Sequence, residues 1–197
     1  MRIGILALQG AVVEHSRKLT ALNTEVIPVR LASELNDLDA LVIPGGESTT
    51  ISMLLADYNL MEPIRELAGR GFPILGTCAG MILLAKKVVG LRPESIGVMD
   101  IEVRRNAFGR QVDSFETELL IPALGDESFH GVFIRAPLIE ETEPNVEILC
   151  QLHNHAVAVR QGNMLACAFH PELADDLRFH RYFLDLVRGD TFAEGNH

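Results

Sequence analysis

Pro73-Ile74-Leu75-Gly76-Thr77-Cys78-Ala79-Gly80-Met81-Ile82-Leu83-Leu84-Ala85 carries the fold in one short run. Pro73–Leu75 reads as an apolar strand and Met81–Ala85 as a helix, with a Gly-x-Cys-x-Gly turn between them. A sharp strand-to-helix turn forces its central residue into a strained backbone and crowds both neighbours. Gly76 and Gly80 remove the side chains that would clash. The partial positive charge of the following helix favours a thiolate at Cys78. The Ala79 N–H is left free to hold an oxyanion. The competing reading is a buried structural cysteine beside ordinary turn glycines, and the strand–turn–helix setting weighs against it.

On the N-terminal side the same alternation repeats. Arg2–Leu8, Glu25–Val29 and Ala40–Ile43 are short, mostly apolar and strand-like. Between them and the turn, Val13–Leu22, Thr49–Leu55 and Glu62–Arg70 have helical spacing, with Val13, Leu19 and Leu22 near one face of the first. Apolar strands separated by helices build βαβ units, hence a parallel sheet with helices on both faces. The C-terminal side is different. Ile101–Val103, Phe115–Leu120, Val132–Ile134, Val146–Leu152, Ala156–Arg160 and Met164–Ala168 are strand candidates with little helix between them. Gln161-Gly162-Asn163 marks a hairpin. Asp175–Val187 reads as a last helix, with acidic residues in its first turn and Gly189 to end it. Val88–Asp100 has no assignment. The expectation is an α/β fold in a single domain over residues 1–197, with a mixed, mostly parallel sheet flanked by helices.

Composition narrows the function. The chain has 197 residues, 48% of them hydrophobic, and a net charge of −10. No apolar run approaches the roughly 20 residues that a membrane span needs. The start, Arg-Ile-Gly-Ile-Leu-Ala-Leu, reads as a strand and not as a leader, so a cytoplasmic protein is expected. An acidic chain with no basic run repels phosphate backbones, which argues against nucleic acid. Cys78, Cys150 and Cys167 are odd in number and far apart, which suits free thiols and neither a disulfide framework nor a zinc site.

Two further stretches bear chemistry. Phe169-His170-Pro171-Glu172 directly follows a strand candidate. A thiol nucleophile needs a base, and a histidine base needs a carboxylate to fix its tautomer. In an extended segment His170 and Glu172 would share a face, with Pro171 restricting the backbone between them. Pro44-Gly45-Gly46-Glu47-Ser48-Thr49-Thr50 follows Ala40–Ile43. Paired glycines let backbone N–H groups turn towards a ligand, which suits the second half of an oxyanion hole. A phosphate loop would need a lysine that is missing here. A plain connection capped by Ser48 or Thr49 is the ordinary alternative.

Together these motifs resemble the triad glutamine amidotransferases. With Leu8-Gln9-Gly10-Ala11, Arg105-Asn106-Ala107-Phe108-Gly109-Arg110-Gln111 and Phe133-Ile134-Arg135-Ala136-Pro137, they are similar to one branch of that family. That branch comprises the glutaminase subunits that serve a pyridoxal 5′-phosphate synthase. The resemblance implies the class I glutamine amidotransferase-like, flavodoxin-like fold. It implies Cys78 as nucleophile, His170 as general base and acid, and Glu172 as its orienter. Gly46 and Ala79 would supply oxyanion N–H groups, and Gly46, Glu47, Ser48, Arg105, Ile134 and Arg135 would contact L-glutamine. An arginine suits a carboxylate by its two-pronged geometry, although Arg104, Arg105 and Arg110 alone would read as basic surface. No metal or organic cofactor is implied. The implied partner is the cofactor-forming synthase subunit, in a large hetero-oligomer. Gln9 would sense that partner and hold the Gly45–Gly46 peptide. Two other classes stay open: a different hydrolase with the same turn, and a non-catalytic regulatory subunit.

Overall fold

The computed structural model describes residues 1–89, 94–105 and 114–189. Its first half follows the expected alternation: β1 (Arg2–Leu6), α1 (Val12–Ala21), β2 (Glu25–Val29), β3 (Ala40–Ile43), α2 (Ser48–Asp57), α3 (Met61–Gly69), β4 (Ile74–Thr77) and α4 (Ala79–Leu84). Then come β5 (Ala85–Val89), β6 (Met99–Arg104), β7 (Ser114–Leu119), β8 (Phe129–Ile134), β9 (Leu138–Thr142), β10 (Glu147–Leu152), β11 (His155–Gln161), β12 (Met164–Cys167) and α5 (Arg178–Arg188).

The main sheet has seven strands in the order β10-β11-β12-β4-β3-β1-β2. β2, β1, β3, β4 and β12 run parallel, and β11 and β10 are antiparallel additions at one edge. β1, β3, β4 and β12 are central, so their residues are covered on both faces. Accordingly Ala40–Ile43 and Ile74–Thr77 are buried throughout instead of alternating. The chain moves outward from β1 to β2, then crosses back over β1 to β3. The strand order reverses between β1 and β3, and in such sheets ligands bind beyond the carboxyl ends of the strands at that reversal. β1, β3, β4 and β12 each end just before one of the motifs singled out in the sequence: Gln9, Gly45-Gly46, Cys78 and His170.

Several boundaries differ from the sequence reading. The first strand stops at Leu6, not Leu8. In α1 the buried residues are His15 and Leu19, whereas Val13 is 56% exposed and so does not belong to the core face. The helix after the turn ends at Leu84, and Ala85, expected as its last residue, opens β5. α5 begins at Arg178, so Asp175 and Asp176 precede it; Asp176 Oδ1 instead accepts the Arg178 N–H at 2.8 Å. Gly189 ends α5 at φ 73°, as expected. The hairpin after β11 is confined to Gly162-Asn163, with Gln161 already paired to Met164.

The strand-rich half does not all join the main sheet. β5, β6 and β9 form a three-stranded sheet, and β7 and β8 a ribbon. Val88–Asp100, unassigned from sequence, contains the end of β5 and the start of β6, with residues 90–93 outside the described residues. β9 had no counterpart in the sequence reading: its Glu140-Glu141 pair breaks the apolar alternation, and Glu140 instead pairs with Arg104 on β6. Phe129, Phe133, Phe169 and Phe179 are fully buried and touch ring to ring at 5.2–6.0 Å, fastening β8 and α5 to the segment after β12. No helix among the described residues is long and apolar enough to cross a membrane.

Candidate active site

Cys78 sits between β4 and α4 at φ 49°, ψ −102°, a conformation costly for a residue with a Cβ. Two close approaches sustain it. A Cβ on Gly76 would meet Leu84 Cδ1 at 2.6 Å and the Gly80 carbonyl at 2.8 Å. A Cβ on Gly80 would stand 2.0 Å from the Ile43 carbonyl oxygen. The glycines are thus required by contact, as the motif predicts. Cys78 is 6% exposed, and its Sγ lies 3.8 Å from the Ile134 carbonyl oxygen.

His170 reaches the same place from the end of β12. Its N–H is anchored to the Val132 carbonyl at 2.8 Å. The His170–Glu172 pairing expected from an extended segment is made through a turn instead, closed by Leu173 N–H to the His170 carbonyl at 3.1 Å. This brings His170 Nδ1 within 2.7 Å of Glu172 Oε1, both side chains being nearly inaccessible. Nδ1 therefore carries the proton donated to the carboxylate, and Nε2 is left for Cys78. Burial opposes the imidazolium, but the hydrogen bonds and charges of Cys78 and Glu172 outweigh it and raise His170 to about 10. Burial likewise pushes Glu172 up, yet His15 and His170 hold its carboxyl below the usual range.

The loop after β3 closes the other side. A Cβ on Gly45 would fall 2.5 Å from His170 Cε1, so this glycine admits the imidazole. The Gly45 carbonyl accepts the Ala11 N–H at 2.9 Å, and the Gly45 N–H donates to Thr77 Oγ1 at 3.0 Å. Gln9 Oε1 accepts the Glu47 N–H at 2.8 Å. The α2 cap is neither Ser48 nor Thr49 but Glu47, whose carboxylate accepts from Thr49 N at 3.1 Å and Thr50 N at 2.7 Å. Burial is the largest single influence and raises the Glu47 carboxyl, but the hydrogen bonds from Thr50 and Thr49 together outweigh it and lower it. Glu47 Oε1 also lies 3.4 Å from Arg105 Nη2.

A pocket of about 400 Å³ opens over Cys78. Of the residues expected to act, Gln9, Gly46, Glu47, Ser48, Cys78, Arg105, Ile134, Arg135 and His170 line it, together with Ile82. Ala79 is buried immediately behind Cys78, and Glu172 behind His170. Asn106–Gln111, with Arg110, lies outside the described residues. Arg135 adopts φ 43°, which turns the chain sharply at the pocket rim. Cys150 and Cys167 are buried in or at the end of strands and do not line this pocket, although the Cys167 carbonyl accepts the Cys78 N–H at 2.8 Å. Sequence reading missed Thr77, which looked like an unspecified position inside the turn motif, and His15, hidden among helical residues of ordinary character. The arrangement suits a thiol nucleophile with a histidine base facing a small polar ligand.

The sequence profile of the SNO glutamine amidotransferase family matches residues 5–188. The chain belongs to that family. Relatives in the family include proteins named pyridoxal 5′-phosphate synthase subunit PdxT. The one from Moorella thermoacetica is 56% identical over 187 residues, covering 95% of this chain and all of the relative. The one from Pelotomaculum thermopropionicum is 56% identical over 196 residues, covering 99% and 100%. A solved structure described as a glutamine amidotransferase superposes with a TM-score of 0.90 at 48% identity, covering 94% of this chain and 98% of its own. The PurLQS structure from Thermotoga maritima, at 16% identity and a TM-score of 0.68, shares the fold alone. The SNO family thus accounts for the class I glutamine amidotransferase-like architecture.

Proposed function

We propose that this SNO-family chain is a glutaminase: it hydrolyses L-glutamine to L-glutamate and ammonia and delivers the ammonia to a pyridoxal 5′-phosphate synthase subunit. The observation that carries the reading is Cys78 at φ 49° on its turn, beside a His170 whose Nδ1 is fixed to Glu172 at 2.7 Å. The relatives' shared name supports the choice of synthase.

In the first step Cys78 Sγ, as thiolate, attacks the side-chain amide carbon. The developing oxyanion is held by backbone N–H groups, for which Ala79 and Gly46 are the candidates. His170 Nε2 then gives its proton to the departing nitrogen, leaving a γ-glutamyl thioester and ammonia. In the second step His170 takes a proton from water, the hydroxyl attacks the thioester, and glutamate leaves as Cys78 regains its thiolate. Glu172 keeps one tautomer and orientation of His170 throughout. Arg105 and Arg135, both on the pocket wall, suit the α-carboxylate of glutamine. Glu47 suits its ammonium, and Ser48 and Ile134 would pack along the side chain.

Ammonia released to water is largely protonated at neutral pH and then is no nucleophile. A glutaminase serving a synthase therefore gains from working only when docked. We assign the cytoplasm as its compartment and a large hetero-oligomer with the synthase as its working form. The test is glutamate release by this chain alone and with saturating synthase subunit. Absence of glutamate in both would overturn the reading.

A further inference from the structure

Behind the triad lies a second, fully buried group of side chains that the hydrolysis scheme does not use. His15 of α1 and His180 of α5 are both 0% exposed. Their rings face each other, His15 Nδ1 lying 3.0 Å from His180 Nε2. His15 Nε2 points the other way. It lies 3.1 Å from Thr77 Oγ1 and 3.3 Å from Glu172 Oε2. Glu172 Oε2 is buried and makes no regular hydrogen bond among the described residues, so the ring nitrogen of His15 is the group opposed to its charge. Thr77 Oγ1 in turn accepts the Gly45 N–H.

The protons on this pair can be assigned. If His15 carried its proton on Nδ1, a lone pair on Nε2 would face the Glu172 carboxylate. His180 would then accept at Nε2 and hold its own proton on Nδ1, a buried atom with no partner among the described residues. An orphaned buried donor is rarer and costlier than an unused acceptor. With protons on Nε2 of both rings the conflict disappears: His180 donates to His15 Nδ1, and His15 donates towards Glu172 and Thr77. Only a lone pair on His180 Nδ1 is left over. Burial lowers the pKa of both rings, which keeps each neutral with one proton.

We propose that His15, fixed by His180, is a positioning residue for glutamine hydrolysis: its Nε2–H faces the free oxygen of Glu172 and the hydroxyl that holds the Gly45 amide, and so sets His170 and the glycine loop together. This rests on the glutaminase reading above. It gives α1 a role beyond packing. The N–H of Ala11, the cap residue just before that helix, holds the Gly45 carbonyl, and Lys18 Nζ within the helix reaches the Ala174 carbonyl just past the triad turn. Neither His15 nor His180 lines the glutamine pocket, so the effect belongs in turnover and not in binding.

The experiment compares His15→Leu and His15→Gln with wild type, each with saturating synthase. Gln can return an N–H near the place of Nε2, and Leu cannot. Losing the donor to a buried carboxylate should lower kcat for His15→Leu by roughly 10- to 100-fold. KM for glutamine should stay within about twofold, since no group that binds it is removed. His15→Gln should recover much of that loss. A folded His15→Leu protein with wild-type kcat, or equal losses in both variants, overturns the proposal. So does a loss confined to KM. The wild-type protein labelled with 15N-histidine supplies an arm that needs no variant: both His15 and His180 should be neutral Nε2–H tautomers, and an Nδ1–H tautomer at His15 overturns the assignment even if the variants fail to fold. Wild type without glutamate release would overturn the glutaminase reading itself, a distinct outcome from a changed His15 variant beside an active wild type.

Discussion

Gly80 packs so tightly on β3 that a Cβ there would stand 2.0 Å from the Ile43 carbonyl oxygen. The contact lies between backbones, so no side chain can swing aside to relieve it. It also seats α4 over the strand that ends at the Gly45-Gly46 loop, bringing nucleophile and loop together. Gly80→Ala should therefore push α4 off β3, at a cost of about 3 kcal/mol or more. For a chain of this length that is a fall in Tm on the order of 6–12 °C. Differential scanning calorimetry checks it; a melting temperature within a degree of wild type would refute the contact.

Cys78 should be the single thiol that a glutamine-like electrophile, such as a diazoketone analogue, modifies in the folded protein. Cys150 and Cys167 are buried, and burial raises the first to about 11 and the second well above the usual thiol range. Such thiols are poor nucleophiles at neutral pH. Peptide mass spectrometry after labelling reads the site. Label on Cys150 or Cys167 accompanied by loss of activity would move the nucleophile elsewhere.

His170 and Glu172 should behave as one unit with unequal consequences. His170→Asn removes the base and should reduce kcat by roughly 10²–10⁴-fold while glutamine binding survives. Glu172→Gln should hurt less. The amide can still turn its carbonyl to His170 Nδ1, although its NH2 then opposes His15 Nε2 at the position now 3.3 Å away. Steady-state kinetics with a separate glutamine-binding measurement distinguish the two. Wild-type turnover in Glu172→Gln would give the orienter role to another carboxylate.

Much of this site is legible in the sequence because close backbone approach leaves a mark that one residue type alone can make. Gly76, Gly45 and Gly80 are such marks, and each is bounded by apolar strands whose burial on both faces is itself readable. Spacing also carries the His170–Glu172 pair, although the chain joins them by a turn and not by extension. What spacing cannot carry is contact between distant segments. His15 and His180 are 165 residues apart and meet only because α1 and α5 do. By its period Val13 belongs to the core, yet the helix is rotated so that His15 faces inward; an apolar count gives a polar residue no credit for a partner in the interior. β9 stayed hidden for a related reason, since its Glu140 is satisfied by Arg104 on the neighbouring strand. Glu47 as the α2 cap was displaced in the reading by the commoner Ser48 and Thr49.

Gln9 should matter most when the synthase is docked. Its Oε1 holds the Glu47 N–H at 2.8 Å, and a Cβ on Gly46 would meet that same oxygen at 2.4 Å. Gln9 thus packs against Gly46 but bonds the Gly46–Glu47 peptide, the one after the expected Gly45–Gly46 peptide, whose carbonyl is held by the Ala11 N–H. The free subunit should be nearly inactive and the synthase should raise its rate, by up to roughly 10²–10³-fold if one oxyanion donor is completed on docking. Gln9→Ala should blunt that rise. Equal rates with and without synthase would sink the switch, and a full rise in Gln9→Ala would remove Gln9 from it.

Stability should fall as the pH drops below about 6.5, well before the carboxylates titrate. His15 and His180 are buried neutral, with folded-state pKa values below the ordinary 6.5 of the unfolded chain. In this window the unfolded chain binds protons that the folded one refuses, so acid favours unfolding. Each such proton contributes a slope of ~1.4 kcal/mol per pH unit. His170 has the opposite sign: its folded value, about 10, lies above 6.5, so its contribution is complete below 6.5 and is lost as the pH rises towards 10. The shifted carboxylates are held below the ordinary carboxylate range and act at lower pH. His130, raised by Glu118 and Glu116, has the same sign as His170, so the histidine pair is isolated by comparing wild type with a variant that lacks one of its rings. Urea unfolding between pH 6.5 and 5 should show wild type losing stability with acid, the pair contributing a slope of at most two protons. His180→Asn, which removes one of them, should make the loss shallower. A flat profile in wild type would mean that neither ring is held neutral in the interior, and the tautomers assigned to His15 and His180 would fall with it.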